Sequence, residues 1–423
     1  MTRGRRYFGT DGVRGIVGED LTEDLVERLG RAFALTGAGD VLVGRDTRAS
    51  GPALESALAR GIASGGARVW LGGVLPTPAV ALLNHDVGAV ISASHNPPEY
   101  NGVKFFNAGY KLSDEDEAAI EAHLDDPPSH KPASIEPLEG LAAQYLELVL
   151  SHFSAPLNGL HIAVDCANGA MYQLAPAAFQ RLGASVTPLA NEPNGMNINA
   201  GCGATDLSFL SRAVRAGEFD LGVAFDGDGD RMLAVDAGGN EVDGDQILAV
   251  LALHLGVDLV AVTEMTNLGF HRLMTERDIR VVTTEVGDRY VLEALRAEGG
   301  VLGGEQSGHL IYLEGQTTGD GLVAALLLCR AVVESGKSLA ELVAVMPRFP
   351  QAKANVSVRA KELPAKVQDR IAELNDGLGD SGRILVRPSG TEPVIRVLVE
   401  AENPEDAAAL CATIEHLVRL ELG

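Results

Sequence analysis

Apolar runs alternate with amphipathic stretches along most of the 423-residue chain. Strand-like runs separated by helix-like ones predict α/β units with mainly parallel sheets. Three segments share one layout of strand, polar loop, helix and strand. They are "VLVGRDTR…ALESALARGIASGGARVWLGG", "LHIAVDCANGAMYQLAPAAFQRLGASVTPL" and "LVAVTEMTNLGFHRLMTERDIRVVTT". The repeat predicts three related α/β units. Each has a polar loop after its first strand, where open α/β sheets bind ligands.

Composition suggests the boundaries. "DDPPSHKPASIEPLEG" (125–140) is polar and proline-rich, and reads as a loop leading into a linking helix. "VMPRFPQAKANVSV" (345–358) marks the passage to a smaller α+β unit. That unit reads as a helix over 364–374, a strand over 384–386, a loop, a strand over 394–400 and a closing helix from Pro404. The expected domains are 1–156, 157–246, 247–350 and 351–423. The first three are α/β with mixed or parallel sheets, and the last is α+β.

Formal net charge is −24, from 58 acidic against 34 basic residues. That balance argues against nucleic acid and anionic membrane as partners, since both need basic patches. It says little about small anions, because fields are screened beyond about 8 Å in physiological salt. Cys166, Cys202, Cys329 and Cys411 are widely spaced and form no C-x-x-C pair. A zinc site or disulfide framework is therefore not expected, and reduced thiols in a cytoplasmic protein are. "MTRGRRYFGTDG" lacks the apolar core of a signal peptide, and the best apolar run, 323–333, is short and contains Arg330.

Candidate chemistry lies in the loops. "ISASHNPPEY" (91–100) sets Ser94, His95 and Asn96 at the end of an apolar run and closes with two prolines. A plain turn is the competing reading. "GVAFDGDGDRM" (222–232) ends a strand with Asp226, Asp228 and Asp230 spaced by glycines. Three carboxylates this close repel unless a cation holds them, and hard oxygen ligands suit Mg²⁺ or Ca²⁺. An EF-hand is excluded, because Arg231 and Ala237 stand where that loop needs Gly and Glu. "GGEQSGHLIYL" (303–313) offers Glu305, Gln306, Ser307 and His309, groups that suit sugar hydroxyls. "ILVRPSGTEPVIRVLV" (384–399) offers Ser389, Gly390 and Thr391 as a nest for phosphate, flanked by Arg387 and Arg396. "YFGTDGVRG" (7–15) adds Arg14 as a candidate phosphate contact. In "EVGDRYV" (285–291), Arg289 reads as pairing with a nearby carboxylate. Walker, dinucleotide-binding and G-x-S-x-G signatures are absent, which disfavours nucleotide hydrolysis, nicotinamide chemistry and an α/β-hydrolase.

Taken together and in order, "FGTDGVRG", "ISASHNP…NGVKFF", "DGDGDR", "GEQSGH", "TTGDG" and "RPSGTEPVIRV" resemble the α-D-phosphohexomutase superfamily over nearly the whole chain. Gln306 within "GEQSGH" is similar to its phosphoglucosamine mutase branch, whereas related phosphomannomutases and phosphoglucomutases often carry Met there. Tyr100 departs from the Asp expected in many relatives. The resemblance implies four domains around a central cleft. It also implies interconversion of glucosamine 6-phosphate and glucosamine 1-phosphate through a phosphoserine and a 1,6-bisphosphate intermediate, which doubles as activator.

By the same resemblance, Ser94 carries the phosphate, and Asp226, Asp228 and Asp230 hold one Mg²⁺ with phosphoserine as fourth ligand. Glu305 and Ser307 grip the sugar, and Arg387, Ser389, Gly390, Thr391 and Arg396 hold the non-reacting phosphate. His95 and Lys104 add positive potential. Lys104, ahead of His309, is the candidate general acid/base. A sugar phosphate is the expected partner, and a homodimer the expected assembly. The alternatives are a phosphomannomutase or phosphoglucomutase of the same superfamily, a phosphatase using Asp226 as nucleophile, and a catalytically dead sugar-phosphate sensor.

Overall fold

The computed structural model describes residues 6–9, 11–83, 87–128, 131–358, 362–389 and 394–422. The chain divides into two units, residues 1–265 with 279–344, and residues 266–278 with 345–423.

Three sheets of the larger unit share one plan. The first contains β1 (Val13–Ile16), β2 (Asp40–Arg45), β3 (Arg68–Val74), β4 (Val87–Ile91), β5 (Tyr100–Asn107), β6 (Tyr110–Lys111) and β7 (Ile135–Pro137). Its order is β1-β5-β4-β2-β3-β7, with β6 on β5. Helices α1 (Glu23–Leu35), α2 (Gly51–Ser64), α3 (Thr77–Leu83), α4 (Asp114–Ala122) and α5 (Leu141–His152) accompany it. The second contains β8 (His161–Asp165), β9 (Ser185–Leu189), β10 (Leu221–Phe225), β11 (Met232–Asp236) and β12 (Glu241–Val242), in the order β12-β11-β10-β8-β9. Helices α6 (Leu174–Arg181) and α7 (Ser208–Ala216) connect its strands, and α8 (Gly244–Leu255) follows. The third contains β13 (Leu259–Thr263), β14 (Arg280–Thr284), β15 (Leu302–Gly304) and β16 (Leu310–Tyr312), in the order β14-β13-β15-β16. The link from β13 to β14 carries α9 (Leu268–Glu276); α10 (Asp288–Glu298), α11 (Gly321–Ser335) and α12 (Leu339–Val343) come later.

The shared motif is β3-β2-β4-β5, β9-β8-β10-β11 and β14-β13-β15-β16. In each, three strands run parallel and the fourth returns antiparallel. The strand-helix-strand repeat expected from sequence is therefore present as β2-α2-β3, β8-α6-β9 and β13-α9-β14. Strands β4, β10 and β13 are buried at every residue, as continuous apolar runs covered on both faces must be. Phe33 of α1 stacks on Phe105 of β5 with centroids 4.3 Å apart, a pairing worth about 1 kcal/mol beyond its burial.

In the smaller unit, β17 (Gln351–Ser357), β18 (Gly382–Pro388) and β19 (Val394–Ala401) form an antiparallel sheet in the order β17-β19-β18. It packs with α13 (Ala365–Leu378) and α14 (Pro404–Leu422) through Val356, Val367, Ile395 and Ile414. Helix α9 belongs here. The buried Glu400 carboxylate accepts from the Leu268 amide at 3.3 Å, and Asn267 exchanges hydrogen bonds with the Phe349 backbone at 2.9 and 3.1 Å.

Several strands were not foreseen, β7 and β17 among them. β7 is a three-residue exposed edge containing Pro137, and β17 alternates small inward residues, Ala352, Ala354 and Val356, too weakly apolar to signal a strand. Among the described residues no helix is long and apolar enough to cross a membrane.

Candidate functional site

The shared sheet plan decides which loops meet. Segments 92–99, 226–231 and 305–309 are the same connection in each sheet, from the third parallel strand to the antiparallel fourth. Each repeat was expected to carry a polar loop after its first strand, and the candidate chemistry was read in these three other segments; in the sheets they follow the third parallel strand. A short hairpin there returns the chain beside the strand it has just left, so its polar tip stays at the sheet end.

Backbone bonds join these tips. Met232 N donates to Gly308 O at 3.0 Å, and Arg231 bridges His309. Gly321 N of the "TTGDG" segment donates to Gly229 O at 3.0 Å, and Thr77 N donates to Asp228 O at 2.9 Å. Gly227 is required as glycine, since a Cβ there would lie 2.6 Å from Ser94 O.

Ser94 is buried, and its Oγ donates to Asp226 Oδ2 at 2.5 Å. Asp226, Asp228 and Asp230 are all buried, and one carboxylate oxygen from each lies within 4.8 Å of the others. Asp226 Oδ1 accepts the amides of Gly229 (3.1 Å) and Arg231 (3.2 Å). Asp228 Oδ2 accepts Thr77 Oγ1 (2.6 Å) and Lys104 Nζ (2.8 Å). Asp228 Oδ1 and Asp230 Oδ1 are buried with no hydrogen-bond partner. Burial and the Asp230 and Asp228 charges push the Asp226 carboxyl well above the usual carboxylate range. Two orphaned anionic oxygens beside a carboxyl driven toward neutrality are a poor arrangement alone, and a fitting cradle for a hard divalent cation. Among the described residues it is the cluster of acidic side chains placed so that it could hold a metal ion.

A closed ring of alternating charge adjoins it. Lys104 meets Asp11 at 2.9 Å and Asp230 at 3.4 Å. His309 lies 3.7 Å from Asp230 and 3.1 Å from Asp288. Lys111 completes the ring, 2.5 Å from Asp288 and 2.7 Å from Asp11. Burial opposes the charge on Lys104, but Asp11, Asp228 and Asp230 outweigh it and hold the ammonium well above its ordinary pKa. Burial likewise opposes the charge on His309, yet Asp288 and Asp230 raise it to about 10.

His95 was expected to add positive potential. Burial, with Arg231 and Arg14 nearby, lowers its pKa from 6.5 to about 4 and so disfavours the charged ring. Its Nδ1 stands 3.3 Å from Ser94 Oγ. Arg14 pairs with Asp11 and donates to Asn96 Oδ1 at 3.2 Å, beside the serine loop.

Glu305 accepts the Gly287 amide at 3.1 Å and the Ser307 hydroxyl at 3.2 Å. Gln306 turns back, donating to Asp245 Oδ2 at 3.1 Å at the start of α8. Arg289 pairs with Asp114 (2.6 Å) and Glu117 (3.6 Å), as its sequence context suggested. In the smaller unit, Arg387 and Arg396 are register partners across β18 and β19, and Ser389 N donates to Val394 O at 2.9 Å. Gly390 and Thr391 lie outside the described residues.

Sequence reasoning missed Asp11, Lys111 and Asp288. Asp11 and Asp288 sit inside the quoted "FGTDG" and "EVGDRYV", where arginines drew notice, and a carboxylate's cationic partner is legible only in three dimensions.

Sequence models of the phosphoglucomutase/phosphomannomutase family match the chain from end to end. Alpha/beta/alpha domain I matches residues 5–130, domain II 138–239, domain III 243–349 and the C-terminal domain 330–417. The phosphoglucosamine mutase of Desulforudis audaxviator is 48% identical, over 98% of this chain and 97% of its own length. A phosphoglucomutase/phosphomannomutase family protein from Burkholderia thailandensis superposes with a TM-score of 0.84 at 24% identity, over 97% of each chain. Aspergillus fumigatus N-acetylphosphoglucosamine mutase, solved with GlcNAc-6P and magnesium, gives 0.72 at 19% identity, over 98% of this chain and 96% of its own. From the four matched domains and that identity across nearly its full length, the chain belongs to the phosphoglucomutase/phosphomannomutase family, in the phosphoglucosamine mutase branch.

Proposed function

We propose that the chain exchanges a phosphoryl group between the 6- and 1-positions of glucosamine phosphate, with Ser94 as the carrier. The observation that carries this reading is Ser94 Oγ 2.5 Å from the edge of a buried carboxylate triad with two unsatisfied oxygens. The proposed division 1–156, 157–246, 247–350 and 351–423 gives each domain one functional loop.

Asp226, Asp228 and Asp230 would hold one Mg²⁺, with an oxygen of phosphorylated Ser94 as further ligand; the magnesium bound by the A. fumigatus enzyme supports that choice. Such an ion supplies positive charge against the oxygens of the transferring group. In the first half-reaction the bond from Ser94 Oγ to phosphorus breaks as a sugar hydroxyl oxygen bonds to that phosphorus. The sugar hydroxyl loses a proton, and Ser94 Oγ regains one. In the second half the other phosphate of the 1,6-bisphosphate returns to Ser94, and the proton movements reverse.

Ser94's proton has two acceptors within reach, Asp226 Oδ2 and His95. Lys104, ahead of His309, is assigned to the sugar oxygen because it touches two of the triad carboxylates. As a free amine it takes the hydroxyl proton in the first half-reaction, and as an ammonium it returns one in the second, the form its carboxylate neighbours favour at rest. Glu305 and Ser307 are assigned to the sugar hydroxyls. Arg14 and the Arg387, Ser389, Gly390, Thr391 and Arg396 set are assigned to phosphate, where paired guanidinium groups suit a dianion.

The test compares mutase rates on glucosamine, glucose and mannose 1-phosphates with Mg²⁺ and a trace of the matching bisphosphate. Glucosamine 1-phosphate should be fastest. A wide margin in favour of glucose 1-phosphate would contradict the substrate assignment.

A further inference from the structure

The segment "GRDTR" (44–48), at the end of β2, matches no catalytic motif. Arg48 is nonetheless entirely internal, at 1% exposure. Its Nη2 donates to Ser94 O (3.0 Å) and Asn96 O (2.8 Å), and its Nη1 to Tyr100 O (2.9 Å) and Pro97 O. Its Nε meets Asp46 Oδ2 at 2.9 Å. Every N–H of the guanidinium thus has an acceptor, and most are carbonyls of one loop. The same Asp46 oxygen accepts Ser92 Oγ (2.7 Å), which in turn accepts the Ser94 amide (2.9 Å). Asn199 reinforces the grip, donating to Ser94 O (2.8 Å) and Asn96 O (3.1 Å).

What is gripped is strained. Ser94 has φ +51°, left-handed backbone that costs a residue with a Cβ about 1–2 kcal/mol. Such a conformation persists only where its surroundings over-determine it. Neither the amide nor the carbonyl of Ser94 is free to relax.

We infer that Arg48, seconded by Asn199, is a positioning residue that holds Ser94 in its left-handed conformation with Oγ against the carboxylate triad. The inference rests on the reading of Ser94 as phosphoryl carrier. Arginine is needed because a planar fork reaches several carbonyls at fixed angles, which an ammonium on a flexible stem does not. Arg48 contacts no reacting atom, so its loss should act on turnover rather than on substrate binding.

The test uses Arg48→Lys and Asn199→Ala in the full chain, with kcat, KM, melting temperature and the fraction phosphorylated at Ser94 after incubation with glucosamine 1,6-bisphosphate. Asn199→Ala should lower kcat about tenfold and Arg48→Lys about a hundredfold, with KM within about twofold. The phosphorylated fraction should fall in parallel. If Arg48→Lys does not fold, Asn199→Ala decides alone. Folded variants with wild-type kcat and phosphorylation, whatever their melting temperatures, overturn the inference. Ser94→Ala judges the underlying reading: retained turnover there removes the carrier and the clamp together, whereas an inactive Ser94→Ala beside fully active clamp variants removes only the clamp.

Discussion

At the scale of residues, the site is a problem in charge. Three buried aspartates share a small volume, and the protein compensates only in part. Lys104 covers one side of Asp228 and Asp230, Ser94 and two amides cover Asp226, and Asp228 Oδ1 and Asp230 Oδ1 accept no hydrogen bond, although His309 stands 3.7 Å from the latter. In the proposed reading a divalent cation supplies the missing countercharge. Asp228→Asn should therefore weaken Mg²⁺ binding by more than about tenfold, measured by titration calorimetry on the purified protein. Unchanged affinity would place the ion elsewhere. The sequence disclosed the triad because glycine-spaced aspartates are costly without a cation. It did not disclose the downward shift of His95, since its burial and the nearby Arg231 and Arg14, far from it along the chain, are set by the fold.

At the scale of elements, one connection is used three times. The hairpin from the last parallel strand to the antiparallel one supplies the serine, the aspartates and the Glu-Gln-Ser-Gly-His segment. The repeat was legible because parallel strands buried on both faces are continuous apolar runs. In the third sheet the place of the antiparallel fourth strand was not, because β15 and β16 are only three residues each.

Between β6 and the start of α10, Lys111 bridges Asp11 and Asp288, all largely buried. Lys111→Met removes one of the cations facing each of two largely buried carboxylates, leaving Asp11 to Lys104 and Arg14 and Asp288 to His309, and should destabilise by about 3 kcal/mol in chemical denaturation. An unmoved midpoint would show the ring to be dispensable. Helix α11 offers a pH test. Its cap, Asp320, is held by the Tyr145 hydroxyl at 2.8 Å and by two amides, yet burial raises it from 3.8 to about 6. The folded state then binds the proton more tightly than the unfolded state. Stability from this group is present below the unfolded value and lost as pH rises through about 6. Asp320→Asn keeps a capping side chain and removes the titration. Relative to that variant, the wild-type protein should lose on the order of 3 kcal/mol between about pH 4 and pH 6. Parallel stability curves for the two proteins would contradict this.

At the scale of the whole molecule, the chain is three copies of one α/β plan followed by a different α+β unit, and the order of loops along the sequence already announced that arrangement. The division of labour around α9 was not legible. Its sequence reads as the helix of the third repeat, but Asn267, Leu268 and Glu400 tie it to the smaller unit. Periodicity reports that a helix exists, not which core receives it. Arg48 was hidden for a similar reason, because nothing local marks an arginine that will be sealed beneath a loop some fifty residues away. The measurement that bears most directly on the whole account is intact-mass analysis of wild-type and Ser94→Ala protein after incubation with glucosamine 1,6-bisphosphate and Mg²⁺, with mutase turnover followed in the same samples. Wild-type protein should gain one phosphoryl group, mapped to Ser94, and turn over; Ser94→Ala should gain none and lose roughly a thousandfold or more in rate. A phosphoryl group on any other residue, or turnover surviving without Ser94, would contradict the account.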